Sequence, residues 1–168
     1  MYYVWTRCRY DRGIILAMDI VITKEKDKTG EEVVVKLAQQ IGGSPVMPFF
    51  LRNYADLIDN GHSNPFMFGT NKSKAVYIEV NNEVAGHIVY DILDDAYKTA
   101  WIVFSCVEDG FRRRGLYMIM HRHFEQIVKN AGSKRIASHV HVDNKVRYAS
   151  CEAVGMKPDF YRMEKTIA

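Results

Sequence analysis

Three apolar runs separated by short polar turns, residues 75–80, 84–92 and 99–107, occupy the middle of the sequence. Their β-branched and aromatic content predicts three strands. Asn81-Asn82 fits a two-residue hairpin turn, because Asn tolerates positive φ, and Asp94-Asp95 with Lys98 marks the next connection. The pattern then changes to a helix over 115–131, a strand over 134–142, a helix over 144–154 closed by Gly155, and a last strand over 159–166. Upstream, residues 1–10 and 14–23 read as strands, the second with Ile14, Leu16, Met18, Ile20 and Ile22 alternating on one face. Residues 28–41 read as a helix, since Val33, Val34, Leu37, Ala38 and Ile41 recur at helical spacing before Gly42-Gly43. A further helix is expected over 49–59. A central antiparallel meander between helical segments predicts an α+β fold, with a mixed, mostly antiparallel sheet and helices on both faces. A doubly wound dinucleotide fold would alternate strand and helix from the start, and this chain does not.

No repeat or low-complexity stretch divides the 168 residues, and 48% apolar content suffices for one core, so residues 1–168 are read as a single domain. With 11 Gly and 4 Pro, collagen-like and disordered readings are excluded. Cys8, Cys106 and Cys151 are odd in number and widely spaced, suggesting neither a disulfide framework nor a zinc site. The N-terminus has no leader-like apolar block, and the run 14–23 is too short to span a bilayer and contains Asp19. The expectation is a soluble, reduced, cytoplasmic protein with no membrane partner.

Charge is distributed unevenly. Residues 112–147 carry nine Lys or Arg against Glu125 and Asp143, a net +7, which leaves −4 on the rest of a chain whose total is +3. The concentration is highest at Arg112-Arg113-Arg114-Gly115, where a strand ending at Val107 feeds a short loop into a helix. Such a junction leaves about four backbone N–H groups unpaired and aimed at one spot. The helix dipole adds roughly half a positive charge there, and phosphate oxygens are its natural ligand. Gly115 lets the chain approach an anion closely, and the neighbouring arginines can neutralise more than one phosphate. No Gly-Lys-Ser/Thr follows, so this is not a P-loop. A nucleic-acid surface is disfavoured, because the arginines cluster in one loop instead of tracking a face with interleaved aromatics.

Arg112-Arg113-Arg114-Gly115-Leu116-Tyr117 resembles the Gln/Arg-x-x-Gly-x-Gly/Ala signature of the GNAT acyl-CoA N-acyltransferases. A second frame is similar: Asn144, with Arg147 at the position of an Ala, Cys151 at that of a Tyr, and Gly155-Met156 at that of Gly-Phe. The resemblance extends from about residue 18 and is strong over 103–156. It implies acetyl transfer from acetyl-CoA, as co-substrate and without a metal, to a primary amine by direct attack in a ternary complex. It also implies that the strands ending near Val107 and Val142 splay to admit the pantetheine arm. Backbone groups of Ser105, Cys106 and Val107 would line that arm, with a backbone N–H near Val107 polarising the thioester carbonyl. The diphosphate would sit on Arg112, Arg113, Arg114, Gly115, Leu116 and Tyr117, with Asn144 completing the cofactor site. The alternative on the same fold is a catalytically weak acyl-CoA-binding sensor or scaffold.

Two departures stand out. Tyr117 occupies the small closing position of the loop, so its side chain must turn away from the phosphates. Cys151 stands where the resemblance implies the Tyr that protonates the leaving thiolate. A thiol of pKa about 8.5 can donate a proton, and Tyr148, three residues earlier on the same helical face, is the other candidate acid. Trp101 holds the strand position where some relatives carry a Glu base, leaving Glu79, Asp91 and His139 as candidate bases. His121 and His123 lie on the polar face of their helix and are expected to be solvated. The aromatics Phe49, Phe50, Tyr54, Phe66 and Phe68 flank the segment 61–71, read as core or as an apolar acceptor pocket. The acceptor is a small-molecule or protein amine, and exposed strand edges permit a homodimer.

Overall fold

The computed structural model describes residues 3–7, 16–59, 72–141 and 143–159. In chain order these form β1 (Tyr3–Arg7), β2 (Leu16–Lys26), β3 (Glu32–Ala38), α1 (Met47–Asp59), β4 (Lys74–Val80), β5 (Glu83–Ile92), β6 (Ala100–Val107), α2 (Leu116–Asn130), β7 (Ile136–Ser138) and α3 (Lys145–Ala153), with one 3-10 turn at Asp109–Phe111. The expected strand over 159–166 lies outside the described residues beyond residue 159, as do Phe66, Phe68 and Cys8.

The segment read as a first helix is a strand. Val33-Val34-Val35 places three β-branched residues in a row, which crowd a helix and suit a pleated sheet. Val33, Val35 and Leu37 are buried while Val34 and Lys36 are half-exposed, the alternation of a strand. The expected helix start at Lys28 instead falls in the β2–β3 turn, residues 27–31. The Asp27 carboxylate closes it by accepting from Thr29 N at 2.8 Å, Thr29 Oγ1 at 2.7 Å and Glu31 N at 3.1 Å.

The described strands make one seven-stranded sheet in sequence order. Every neighbouring pair up to β6 is antiparallel, and β7 joins β6 in parallel. A parallel neighbour cannot be reached by a hairpin, so α2 provides the crossover. Asn81 and Asn82, at φ 53 and 65, form the expected tight turn between β4 and β5. On one face of the sheet Val35, Val76, Ile78, Ile88 and Ile102 pack under Leu116, Met120, Phe124 and Val128 of α2. On the other, Ala75, Tyr77, Val89 and Val103 pack under Val46 and under Phe50 of α1. The fold is α+β, mostly antiparallel, with helices on both faces. Among the described residues no helix is long and apolar enough to cross a membrane.

Candidate active site

β7 is much shorter than the run 134–142 suggested. It pairs with β6 only from Ala100↔Ile136 to Ile102↔Ser138. There the register of β5 against β6 jumps from Val89↔Phe104 to Tyr90↔Ile102, which leaves Val103 as a bulged residue on β6. Past this point β6 continues to Val107 with no neighbour on its outer edge among the described residues. Among the described residues this leaves a wedge-shaped gap whose inner wall is the main chain of Ser105 and Val107, able to pair with the amides of a ligand as a missing strand would. Contrary to expectation, the Cys106 main chain is turned inward, paired with His87 of β5. The Cys106 side chain turns to the α1 face, across from His87. His87 is fully buried, and burial, with the nearby Arg52 charge, holds it down to about 4 and hence neutral. Burial and the Glu108 carboxylate push the Cys106 thiol up.

The loop from β6 to α2 lies at the mouth of this gap. Arg113 adopts φ 64 and Gly115 φ 81, so the chain reverses hand twice before α2 begins. Gly115 is the N-cap and supplies no capping side chain, while Met118 N and Ile119 N bond back to its carbonyl at 3.1 and 3.3 Å. Among the described residues nothing accepts a hydrogen bond from the amides of Arg113, Arg114, Gly115, Leu116 or Tyr117. Open amides at a helix N-terminus form an anion cradle.

The three arginines do not share one job. Arg112 ion-pairs with Asp109 at 2.6 Å and donates from Nε to the Val107 carbonyl at 3.2 Å. Arg113 is exposed and has no ion-pair partner among the described residues, so its charge is available to a ligand. Arg114 departs from the expectation that it faces a phosphate. Its guanidinium bridges Asp27 and Glu31 of the β2–β3 turn at 2.5 Å each and lies over the Phe111 ring. Lys28 N also bonds to the Arg114 carbonyl at 3.1 Å, so the turn is clamped onto the loop. Sequence reading missed Lys28, which it had placed in a helix; its stem runs within 3.0–3.2 Å of where a Gly115 Cβ would stand. Leu116 is in the core, so only its amide can serve a ligand.

The Asp27 clamp titrates. Burial alone would raise this carboxyl, but hydrogen bonds from Thr29 and Arg114 win and hold it at about 2 against an ordinary 3.8. A depressed carboxylate contributes stability that is complete above its unfolded pKa and is lost as pH falls through the folded one. Urea midpoints should therefore fall between about pH 4 and pH 2. Asp27→Asn should be less stable near neutrality and lack that segment of the pH dependence; an unaltered profile would remove the clamp from the account.

On the far side of the cradle, α3 brings a second cluster. Asn144 caps α3, its Oδ1 accepting from Arg147 N at 3.0 Å, which leaves only its Nδ2 for a ligand. Tyr117 does turn away from the loop: its hydroxyl accepts from Arg147 Nη1 at 2.5 Å, and its ring lies 5.0 Å beneath that guanidinium and 5.8 Å from the His121 ring. Cys151 shares this crevice at 7% exposure, and burial pushes its thiol up against a smaller lowering by Arg147. Tyr148 is 41% exposed, pointing largely outward.

Of the candidate bases, Glu79 is taken by Lys36 at 2.6 Å. Asp91 accepts from Ser73 Oγ at 3.1 Å, with burial raising its pKa, and it pairs in register with Trp101. The His139 ring stands edge-on to Trp101 at 4.7 Å, one residue beyond the last rung of β7. His121 and His123 are not solvated as their helical face suggested. His121 is buried between the Tyr117 and Phe124 rings, and His123 pairs with Glu25 of β2, a strand that covers this side of α2. Among the described residues no group of three or more His, Cys, Asp or Glu is placed to hold a metal.

Comparison with known proteins bears on the fold and the family. No curated protein matches the chain. Among solved structures, ribosomal-protein-alanine N-acetyltransferase from Brucella melitensis biovar Abortus 2308 superposes at TM-score 0.60 and 11% identity, over 81% of this chain and 99% of that one. A possible acetyltransferase from Clostridium difficile 630 gives 0.58 and 16%, over 81% and 97%. An aminoglycoside acetyltransferase from an uncultured soil metagenomic sample, in complex with trehalose, gives 0.57 and 11%, over 80% and 97%. At such identities these likenesses establish the fold. The family model "Acetyltransferase (GNAT) family" matches residues 45–156, a span that runs from the start of α1 to the end of α3 and contains the gap, the loop and the crevice. The chain that builds this site is thus an acyltransferase, a member of the GNAT acetyltransferase family.

Proposed function

We propose that the protein transfers the acetyl group of acetyl-CoA to a primary amine by direct attack in a ternary complex. The observation that carries this reading is the row of open amides from Arg113 to Tyr117 at the mouth of the β6–β7 gap. Those amides, with Arg113 and Lys28, suit the diphosphate; the outward main-chain groups of Ser105 and Val107 suit the pantetheine amides; and a main-chain N–H near Val107 suits the thioester oxygen. Arg112 orders the Val107 carbonyl beside it, and Asn144 offers Nδ2 from the α3 terminus. The residues present therefore fit the carrier. Thiol release from acetyl-CoA, followed across a panel of polyamines, amino acids, aminoglycosides and peptide N-termini, tests the reading; turnover with at least one amine is the expected result. The aminoglycoside and ribosomal-protein acetyltransferases that share the fold make those two classes the first to try.

Cys151 is the better candidate for the acid, because it lies in the crevice and Tyr148 faces outward. A thiol raised by burial keeps its proton through neutral pH and has one to give a leaving thiolate. Cys151→Ala should lower the maximal rate by about 10²-fold and abolish its alkaline limb, while Tyr148→Phe leaves both intact. The reverse pattern would transfer the role to Tyr148. His139, beside Trp101 at the end of β7, is the base candidate nearest the gap. The alternative, a weakly catalytic acyl-CoA sensor, draws on Trp101 at the base position and on the burial of Cys151; binding without turnover across the whole panel would favour it.

A further inference from the structure

Arg147 is a cation with no anionic partner among the described residues. One edge of its guanidinium is fixed by Tyr117, through the 2.5 Å bond from Nη1 and the ring beneath it. The other edge, Nη2, is closed to solvent, and among the described residues it has no hydrogen-bond partner and no Asp or Glu pairs with this side chain. A charged donor removed from water and left unpaired is strongly unfavourable unless a ligand completes it.

Its position says which ligand. Tyr117 is the second residue of α2, so the guanidinium that rests on its ring stands beside the helix N-terminus whose amides are also open. Tyr117 thus links two sets of donors left unsatisfied among the described residues, the amides at the α2 N-terminus and the Arg147 guanidinium of α3. The two large residues depend on each other: Tyr117 and Arg147 both stand at positions that are small in the frames the sequence resembles, and here each orients the other. Arg113 and Lys28, neither with an ion-pair partner among the described residues, add two positive charges beside the α2 N-terminus, a total suited to more than one negative charge.

We propose that Arg147 is a specificity-determining residue whose Nη2 binds a diphosphate oxygen of the acyl carrier, with Tyr117 as the residue that positions it. The inference rests on the acetyl-CoA reading above and extends it to a contact on α3. Cys151 lies one helical turn further along, so the same guanidinium would set the distance between the anchored diphosphate and the thiol.

The test compares three donors: acetyl-CoA, its 3′-dephospho form, and acetyl-pantetheine, which lacks the diphosphate. Arg147→Met keeps the apolar stem and removes the charge. It should raise KM about tenfold or more for both diphosphate-bearing donors, leave acetyl-pantetheine unchanged, and leave the melting temperature nearly so. Arg147→Lys should recover part of the loss, and Tyr117→Phe should show a weaker form of the same pattern. Equal effects on all three donors, or no effect on any, would overturn the proposal. Should the unmodified protein bind none of the donors, the acetyl-CoA reading fails, and Arg147 is judged on inorganic pyrophosphate alone. A rise in melting temperature with pyrophosphate that disappears in Arg147→Met supports the anion site; a rise that persists, or none, overturns it.

Discussion

Gly86→Val is expected to lower stability by about 3 kcal/mol, the upper end of overpacking penalties, and to remove acetyl-CoA binding with it. Gly86 on β5 sits opposite Val107 at the end of β6. A Cβ there would lie 2.9 Å from the Cys106 carbonyl oxygen, 3.0 Å from Met120 Cε and 3.3 Å from Val107 Cγ2. The methionine can yield, but the carbonyl belongs to the sheet and can only move by displacing the strand. That strand end is the wall of the gap, so strain relieved there is strain imposed on the pantetheine subsite. Urea denaturation and calorimetric titration read the two effects separately, and Gly86→Ala should show a milder version of both. Wild-type stability with wild-type binding would mean that β6 is not held by this contact.

Gly115→Val should do the opposite in proportion: little damage to the fold and a large loss of affinity. Gly115 is left-handed at φ 81, a conformation that costs an L-residue about 1–2 kcal/mol. The new side chain would meet only the stem of Lys28, which is flexible and can move aside. The amides on either side of Gly115 would be re-aimed, however. Two lost hydrogen bonds to a charged group, at about 1.5–3 kcal/mol each, correspond to roughly 10²–10⁴ in affinity. Acetyl-CoA affinity within a few-fold of wild type would show that the cradle is not the anion site.

The parts of this account that were legible in the sequence are local ones. A strand, a Gly-containing basic loop and an amphipathic helix follow one another within a few residues, so the cradle could be read from 107–117 directly. The meander β4–β5–β6 was equally visible, with Asn81-Asn82 as its turn. β3 was misread because Val33, Val34, Leu37, Ala38 and Ile41 satisfy a helical period while Val33, Val35 and Leu37 satisfy a strand period just as well. The three consecutive valines were the signal that separated the two. The consequences propagated: with 28–41 taken as a helix, Asp27, Lys28 and Glu31 could not be seen as the clamp on Arg114, their partner more than 80 residues away. The same gap in knowledge left His123 facing water, when Glu25 of β2 in fact covers it. The length of β7 was beyond reach, since a strand that stops because its neighbour bends away leaves no mark in its own residues. The joint replacement at Tyr117 and Arg147 was visible as two oddities, but only the fold shows that they touch.

The account depends most on the main-chain amides of residues 113–117 as the diphosphate ligand. Backbone amide resonances followed by NMR during titration with acetyl-CoA, and separately with acetyl-pantetheine, test this residue by residue. Large saturable shifts at Arg113, Arg114, Gly115, Leu116 and Tyr117 with the first donor and not with the second are the predicted result. Shifts centred elsewhere, or the same response to both donors, would contradict it.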